Sequence, residues 1–215
     1  MTEQAFNKLE ELIVTLQLKP GQIVTENELS NMIGIGRTPV REAVKMLNNA
    51  SLVKVIPHRG IIISELNLEE MFLQIEVRRV LEGLIAERAA KFSTAQERGR
   101  FLQLRDAFQK AITEGDAVEV IKVDTEFHAL ISEAARNVYA SKAVVLLQSL
   151  AKRYYFSRYQ SDDELIQRIN ISHMDLMEAV ASGDVAKSKQ VSDELIDQIQ
   201  KLYSHSFKEH LGYSA

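Results

Sequence analysis

Phe6, Leu9, Leu12, Ile13 and Leu16 recur at spacings of three and four, which places them on one face of an amphipathic helix that must end before Pro20-Gly21. Thr25 followed by Glu28 forms a capping box, so a short second helix opens there, and Gly34 closes it. A third helix follows Gly36. Pro39 is tolerated within it because the amides of a first turn have no intrahelical partner. Leu52 to Ile56 and Ile61 to Ser64 are β-rich runs joined by Pro57-His58-Arg59-Gly60, the pattern of a hairpin.

After Ser64 the pattern changes to long helical stretches nearly free of Gly and Pro. Asn67 with Glu70, Thr94 with Glu97, Asp116 with Glu119, and Ser161 with Glu164 predict helix starts. Gly115 and Gly183 predict stops, and Asp184 caps the last helix. Six helices follow, at about 68–92, 95–114, 117–135, 138–160, 162–182 and 185–209. The expected fold class is mostly α: an N-terminal winged helix-turn-helix, then an all-helical bundle of six helices. At 215 residues the chain has room for two domains, read here as 1–66 and 67–215. The junction from Ser64 to Asn67 is short, so the two are expected to be coupled.

Composition narrows the chemistry. The absence of cysteine excludes a disulfide scaffold, a thiol nucleophile and a thiolate metal site. The start, Met1-Thr2-Glu3-Gln4, followed by Glu10 and Glu11, lacks the basic and apolar regions of a signal peptide. No apolar stretch reaches the length of a membrane span, so a cytoplasmic protein without a membrane partner is expected. The net charge of −4 argues against a general polyanion binder. Yet Arg37, Arg41, Lys45, Lys54 and Arg59 face only the one acid Glu42 across residues 37–59. That local reversal coincides with the helix-turn-helix and suits phosphate.

In such a motif the second helix enters the major groove by its N-terminal end. Arg37 and Arg41 share a helix face there and can fork onto guanine or clamp phosphate, while Thr38 and the first-turn amides can bond phosphate oxygens. Lys45 extends the same basic face. The hairpin turn presents His58, Arg59 and Gly60; the cation suits the minor groove and the glycine permits close approach of backbone. Singly, an Arg pair on a helix is usually a solvated face and an Arg-Gly turn only a turn. Their ordered combination is what points to DNA.

Leu18-Lys19-Pro20-Gly21, Thr25-Glu26-Asn27-Glu28-Leu29, the run from Ile33 through Val44, and Leu52-Val53 to Arg59-Gly60 resemble the signature of the GntR family of bacterial transcription factors. The resemblance implies base contacts by Arg37 and Arg41, a backbone contact by Thr38, and a wing in the minor groove. It departs at Gly36, where the family usually has Ser or Thr, and at Asn27, where some members have Arg. Glu76 through Glu82 and Asp124-Thr125-Glu126-Phe127-His128, followed by Asn137, resemble the ligand-binding FCD bundle of the FadR subfamily, in its shorter, VanR-like branch of six helices.

Asp124 and His128 lie four apart on one helix face, a geometry that can present an oxygen and a nitrogen to one cation, and His173 lies on a helix able to pack opposite. Family resemblance implies a divalent ion of the zinc or nickel class, held also by a third His where this chain has Leu195. The alternative is a metal-free pocket with hydrogen-bonded core histidines. Arg78 falls where the family often has an arginine facing a carboxylate effector; the plainer reading is an ion pair with Glu82 one turn on. Asn137 and Arg153 complete the expected effector-binding set. The function expected is a repressor acting as a homodimer on palindromic double-stranded operator DNA and responding to a small carboxylate. The competing readings are a metal-dependent helical-bundle enzyme, which lacks a nucleophile and a convincing base, and a regulator whose C-terminal domain only dimerises.

Overall fold

The computed structural model describes residues 1–57, 59–159 and 164–210, without the side chains of 206–210. His58 and the predicted cap Ser161 lie outside the described residues. The chain forms two compact units: Met1–Asn67 with Leu146–Ser157, and Leu68–Val145 with the chain from Arg158 onward.

The first unit runs α1 (Thr2–Val14), β1 (Ile23–Val24), α2 (Glu26–Ile33), α3 (Arg37–Asn49), β2 (Val53–Ile56) and β3 (Gly60–Ile63). Leu9, Ile13, Leu29, Val40 and Leu47 bring the inner faces of the three helices together in one buried core. Leu16, expected on the α1 face, lies beyond the helix with φ +58°, where the chain has begun to turn. The predicted box at α2 is complete: the Glu28 amide donates to Thr25 Oγ1 at 3.2 Å, and the Thr25 amide donates to the Glu28 carboxylate at 2.7 Å. Gly34 ends α2 in the left-handed region, and the Ser30 hydroxyl donates to the Ile35 carbonyl across the turn. The Leu146–Ser157 stretch adds Leu150 to this core, and the Ser149 hydroxyl donates to the Glu10 carboxylate.

The hairpin belongs to a three-stranded antiparallel sheet of order β1-β3-β2, with Val24 opposite Ile61 and Ile56 opposite Gly60. A two-residue strand has no periodicity to read, so β1 is invisible in the sequence. It changes the meaning of Gly60. This residue has φ +111°, and a Cβ on it would lie 2.9 Å from the Val24 carbonyl oxygen. Glycine is therefore required inside the wing itself. Gly60→Ala is expected to destabilise the first unit by about 1–3 kcal/mol, seen as a lower denaturant midpoint. An unchanged midpoint would remove this explanation.

The second unit contains α4 (Leu68–Phe92), α5 (Ala95–Glu114), α6 (Ala117–Ala134), the first residues of α7 (Val138–Arg158), α8 (Glu164–Ser182) and α9 (Val185–His210). Thr94 and Glu97 cap α5 reciprocally, at 3.2 and 2.8 Å. Asp116 caps α6 by accepting from the Val118 and Glu119 amides, but the Glu119 carboxylate turns to Lys122, so this cap is one-sided. Gly115 and Gly183 adopt positive φ at the expected stops, and Asp184 accepts from the Lys187 amide. α4 packs along α9, and α8 lies against both α5 and α9. Phe101, Phe108, Phe127 and Met177 are buried in this unit.

Candidate DNA-reading surface and buried acid–histidine site

The sequence of α3 separates two jobs. Val40, Ala43, Val44 and Leu47 fasten one side to the core, which leaves Arg37, Thr38, Arg41 and Lys45 exposed on the other. Gly36 caps α3 in an extended conformation without a side-chain hydrogen bond, so the amides of the first turn remain available to an anion. Two of the cations are held by acids. Arg41 Nε lies 3.2 Å from both oxygens of Glu26, and Lys45 Nζ lies 2.8 Å from Glu42. These pairs are solvent-exposed and cost little to exchange for phosphate or base. Glu26 was not among the expected site residues; its only sequence signal is an acid in the first turn of the helix preceding the reader. In the wing Arg59 is exposed, and its amide donates to the Ile56 carbonyl at 3.0 Å.

In the second unit α6 and α8 bring Asp124, His128 and His173 together, all buried. Asp124 Oδ1 lies 3.4 Å from His128 Nε2 and 3.2 Å from His173 Nε2, and one donor atom from each residue lies within 4.8 Å of the others. His173 Nδ1 bonds the Ile169 carbonyl at 2.9 Å, which fixes the ring and turns Nε2 toward the carboxylate. That is the outer-shell arrangement by which proteins orient imidazole ligands. Burial alone would raise the Asp124 pKa, but the two imidazoles override it and hold the carboxylate well below its usual range. Burial opposes the His173 cation, and the Asp124 carboxylate outweighs that and raises its pKa. One carboxylate and two imidazoles suit a divalent ion of the zinc class, with remaining positions left to water or ligand. Leu195 is buried and offers no donor.

Arg78 and Glu82 on α4 form a buried pair at 2.8 Å, the expected ion pair. Among the described residues, Arg78 Nη1 is buried and has no hydrogen-bond partner. Burial disfavours the Glu82 carboxylate, but Arg78 and then His128 and His173 lower its pKa, which places this pair within electrostatic reach of the histidines. Asn137 is half-buried, and its side chain accepts from the Ala140 amide at the start of α7. Arg153 is wholly buried in the Leu146–Ser157 stretch. Among the described residues none of its guanidinium nitrogens has a hydrogen-bond partner, and burial pushes its pKa down to about 10.

Comparison with known proteins assigns both units. The FCD domain matches residues 74–198, and the family described as bacterial regulatory proteins, gntR family, matches residues 1–63. The chain belongs to the GntR family. It is a DNA-binding transcriptional regulator and not an enzyme, as its relatives are. This GntR protein is 24% identical over 218 residues to the HTH-type transcriptional repressor RspR of Escherichia coli K12, covering 97% of the chain and 94% of that protein. It is 25% identical over 190 residues to the HTH-type transcriptional regulator YdhC of Bacillus subtilis, covering 87% and 84%. The solved structure of E. coli McbR/YncC shares the fold, with a TM-score of 0.81 at 21% identity over 96% of this chain and 98% of that one. No described helix of this regulator is long and apolar enough to cross a membrane.

Proposed function

We propose that this GntR regulator is a ligand-responsive repressor in which residues 1–66 read a palindromic operator as half of a homodimer and residues 67–215 bind a small carboxylate beside a divalent ion. Arg37 and Arg41 read bases, Thr38 and Lys45 hold the phosphate backbone, and Arg59 and Gly60 enter the minor groove. The observation that carries the effector reading is Arg78. Its guanidinium is buried, keeps one nitrogen unpaired, and lies within electrostatic reach of Asp124. A buried cation with free donors is matched by a carboxylate, which accepts two parallel hydrogen bonds. Arg153, also expected in the effector set, is buried within the first unit. Asn137 contributes least to the effector set, because its side chain caps α7.

Asp124, His128 and His173 are the residues that would hold the ion, and its chemistry there is that of a Lewis acid anchoring the effector's carboxylate. Metal binding must displace the proton that Asp124 stabilises on His173. Because the folded pKa of His173 is raised, that competition extends above the ordinary imidazole range, and it fades as pH climbs beyond the raised value. Zinc affinity measured by calorimetry is therefore expected to increase between pH 6 and pH 8 and to collapse in Asp124→Ala. A pH-independent affinity would count against this ligand set.

The functional test is a fluorescence anisotropy titration of DNA from upstream of the neighbouring genes against random DNA at the same salt. A panel of small carboxylates, with and without zinc or nickel, is then added. Preference for one upstream fragment, lost on adding one acid, supports the proposal. Equal affinity for every fragment would refute specific reading. Consistent silence toward every acid in thermal shift would favour a C-terminal domain that only dimerises.

A further inference from the structure

Glu26 and Arg41 meet across fifteen residues of chain, and the reason lies in how α2 begins. Thr25 and Glu28 close the capping box between themselves, so the Glu28 carboxylate is committed to the cap. Glu26, the first residue of the helix, has no part in that box and reaches the reader helix α3 instead. Glu42, the acid that holds Lys45, lies three residues away on α3 itself. Of these two pairs, that of Glu26 fastens a reading side chain from another helix. Its geometry is one-sided: both carboxylate oxygens accept from the single Nε–H of Arg41, each at 3.2 Å. The two Nη groups, which form the fork at the tip of the guanidinium, take no part in these bonds. Such a fork matches O6 and N7 of guanine. A carboxylate that grasped the tip would have blocked it.

We infer that Glu26 is the positioning residue for Arg41: it stays bonded to Nε in the operator complex, aims the Nη fork at guanine, and cancels the charge that would otherwise draw Arg41 to phosphate. The inference rests on the base-reading role proposed for Arg41 and adds the reason that this arginine reads a base and does not clamp the backbone. Two physical effects carry it. The Arg41 side chain is long and 59% exposed, so without an anchor its guanidinium would sample many directions. Holding Nε fixes the plane and direction of the fork before DNA arrives, which lowers the ordering cost of a bidentate contact. Docking on a duplex removes water from the pair and strengthens it. Phosphate attraction, by contrast, follows net charge. A guanidinium neutralised by an adjacent carboxylate adds little to it, while its hydrogen-bond donors remain. Affinity for wrong sequences is thereby held down, and specificity is the difference between right and wrong. An exposed pair contributes little to folding, so the consequence falls on selectivity.

The test passes the full-length chain over a randomised double-stranded DNA library and sequences what is bound. The wild type, Glu26→Ala, Glu26→Gln and Arg41→Ala are compared, with circular dichroism to show that each folds. At the base pair that Arg41→Ala alters, Glu26→Ala is expected to lower the preference for guanine by about fivefold or more. Glu26→Gln keeps an acceptor for Nε without the charge and should recover much of that preference. Both Glu26 variants should bind random duplex more tightly and with a steeper salt dependence, since each frees a cation for phosphate. On an Arg41→Ala background the same substitutions should leave the salt slope unchanged; a slope that steepens there too makes Glu26 a general charge and overturns the inference. Should Glu26→Ala fail to fold, the slope of the isosteric Glu26→Gln decides, and an unchanged slope overturns the inference. Unaltered guanine preference in Glu26→Ala, at a position that Arg41→Ala does alter, overturns it as well and leaves Arg41 a reader. A wild-type motif that Arg41→Ala leaves intact would instead remove Arg41 from base reading, and the role of Glu26 with it.

Discussion

Replacing Glu82 with alanine is expected to destabilise the second unit by about 3–5 kcal/mol. Glu82 and Arg78 are both buried and joined at 2.8 Å. Removing the acid strands a guanidinium that cannot shed its proton, since Arg78 is held charged by Glu82 and titrates above its already high ordinary value. Thermal unfolding should show a midpoint lower by roughly 10 °C. The double variant Arg78→Met, Glu82→Leu removes both charges and should recover most of that loss, because a well-packed apolar pair often equals a buried ion pair. It should also abolish carboxylate binding. A double variant as unstable as the single one would mean that the loss comes from packing around α4 and not from charge balance; one that still bound the acid would remove Arg78 from the effector site.

The second large effect falls on operator binding. Arg41→Ala is expected to cost about 1–3 kcal/mol for each half-site, and a two-fold complex loses the contact twice. The loss should be concentrated at one base position, while Thr38→Ala or Lys45→Ala should weaken all sequences alike, and only Lys45→Ala, which removes a cation, should flatten the salt dependence. Arg41 is held by Glu26 at 3.2 Å when DNA is absent. Glu26→Gln should therefore raise affinity slightly, within the ~1 kcal/mol that exposed pairs contribute. Unaltered operator affinity in Arg41→Ala, measured at fixed salt, would reject its role as a reader.

Local signals carried much of this structure. Capping boxes at Thr25 and Thr94, stops at Gly34, Gly115 and Gly183, and the cap at Asp184 are contacts within a few residues of chain, so their spacing is visible in a one-dimensional string. The α3 cations were legible for the same reason, since a helix fixes which side chains share a face. Asp124 with His128 follows that rule, and the meeting with His173 was a matter of helix pairing. Arg41's engagement by Glu26 and the demand on Gly60 depend on neighbours fifteen or more residues away, which no spacing announces.

By itself the sequence determined the order of the helices and of the hairpin strands and placed a basic stretch on α3 and the wing, because each rests on periodicity, capping or local charge. Tertiary structure decided the rest. It paired the two-residue β1 with the wing, gathered Leu146–Ser157 of α7 into the first unit with Leu150 in its core, and buried Arg153 with no hydrogen-bond partner among the described residues. Burial and pairing are properties of surfaces that meet, and the chain brings those surfaces together only when the whole fold has formed.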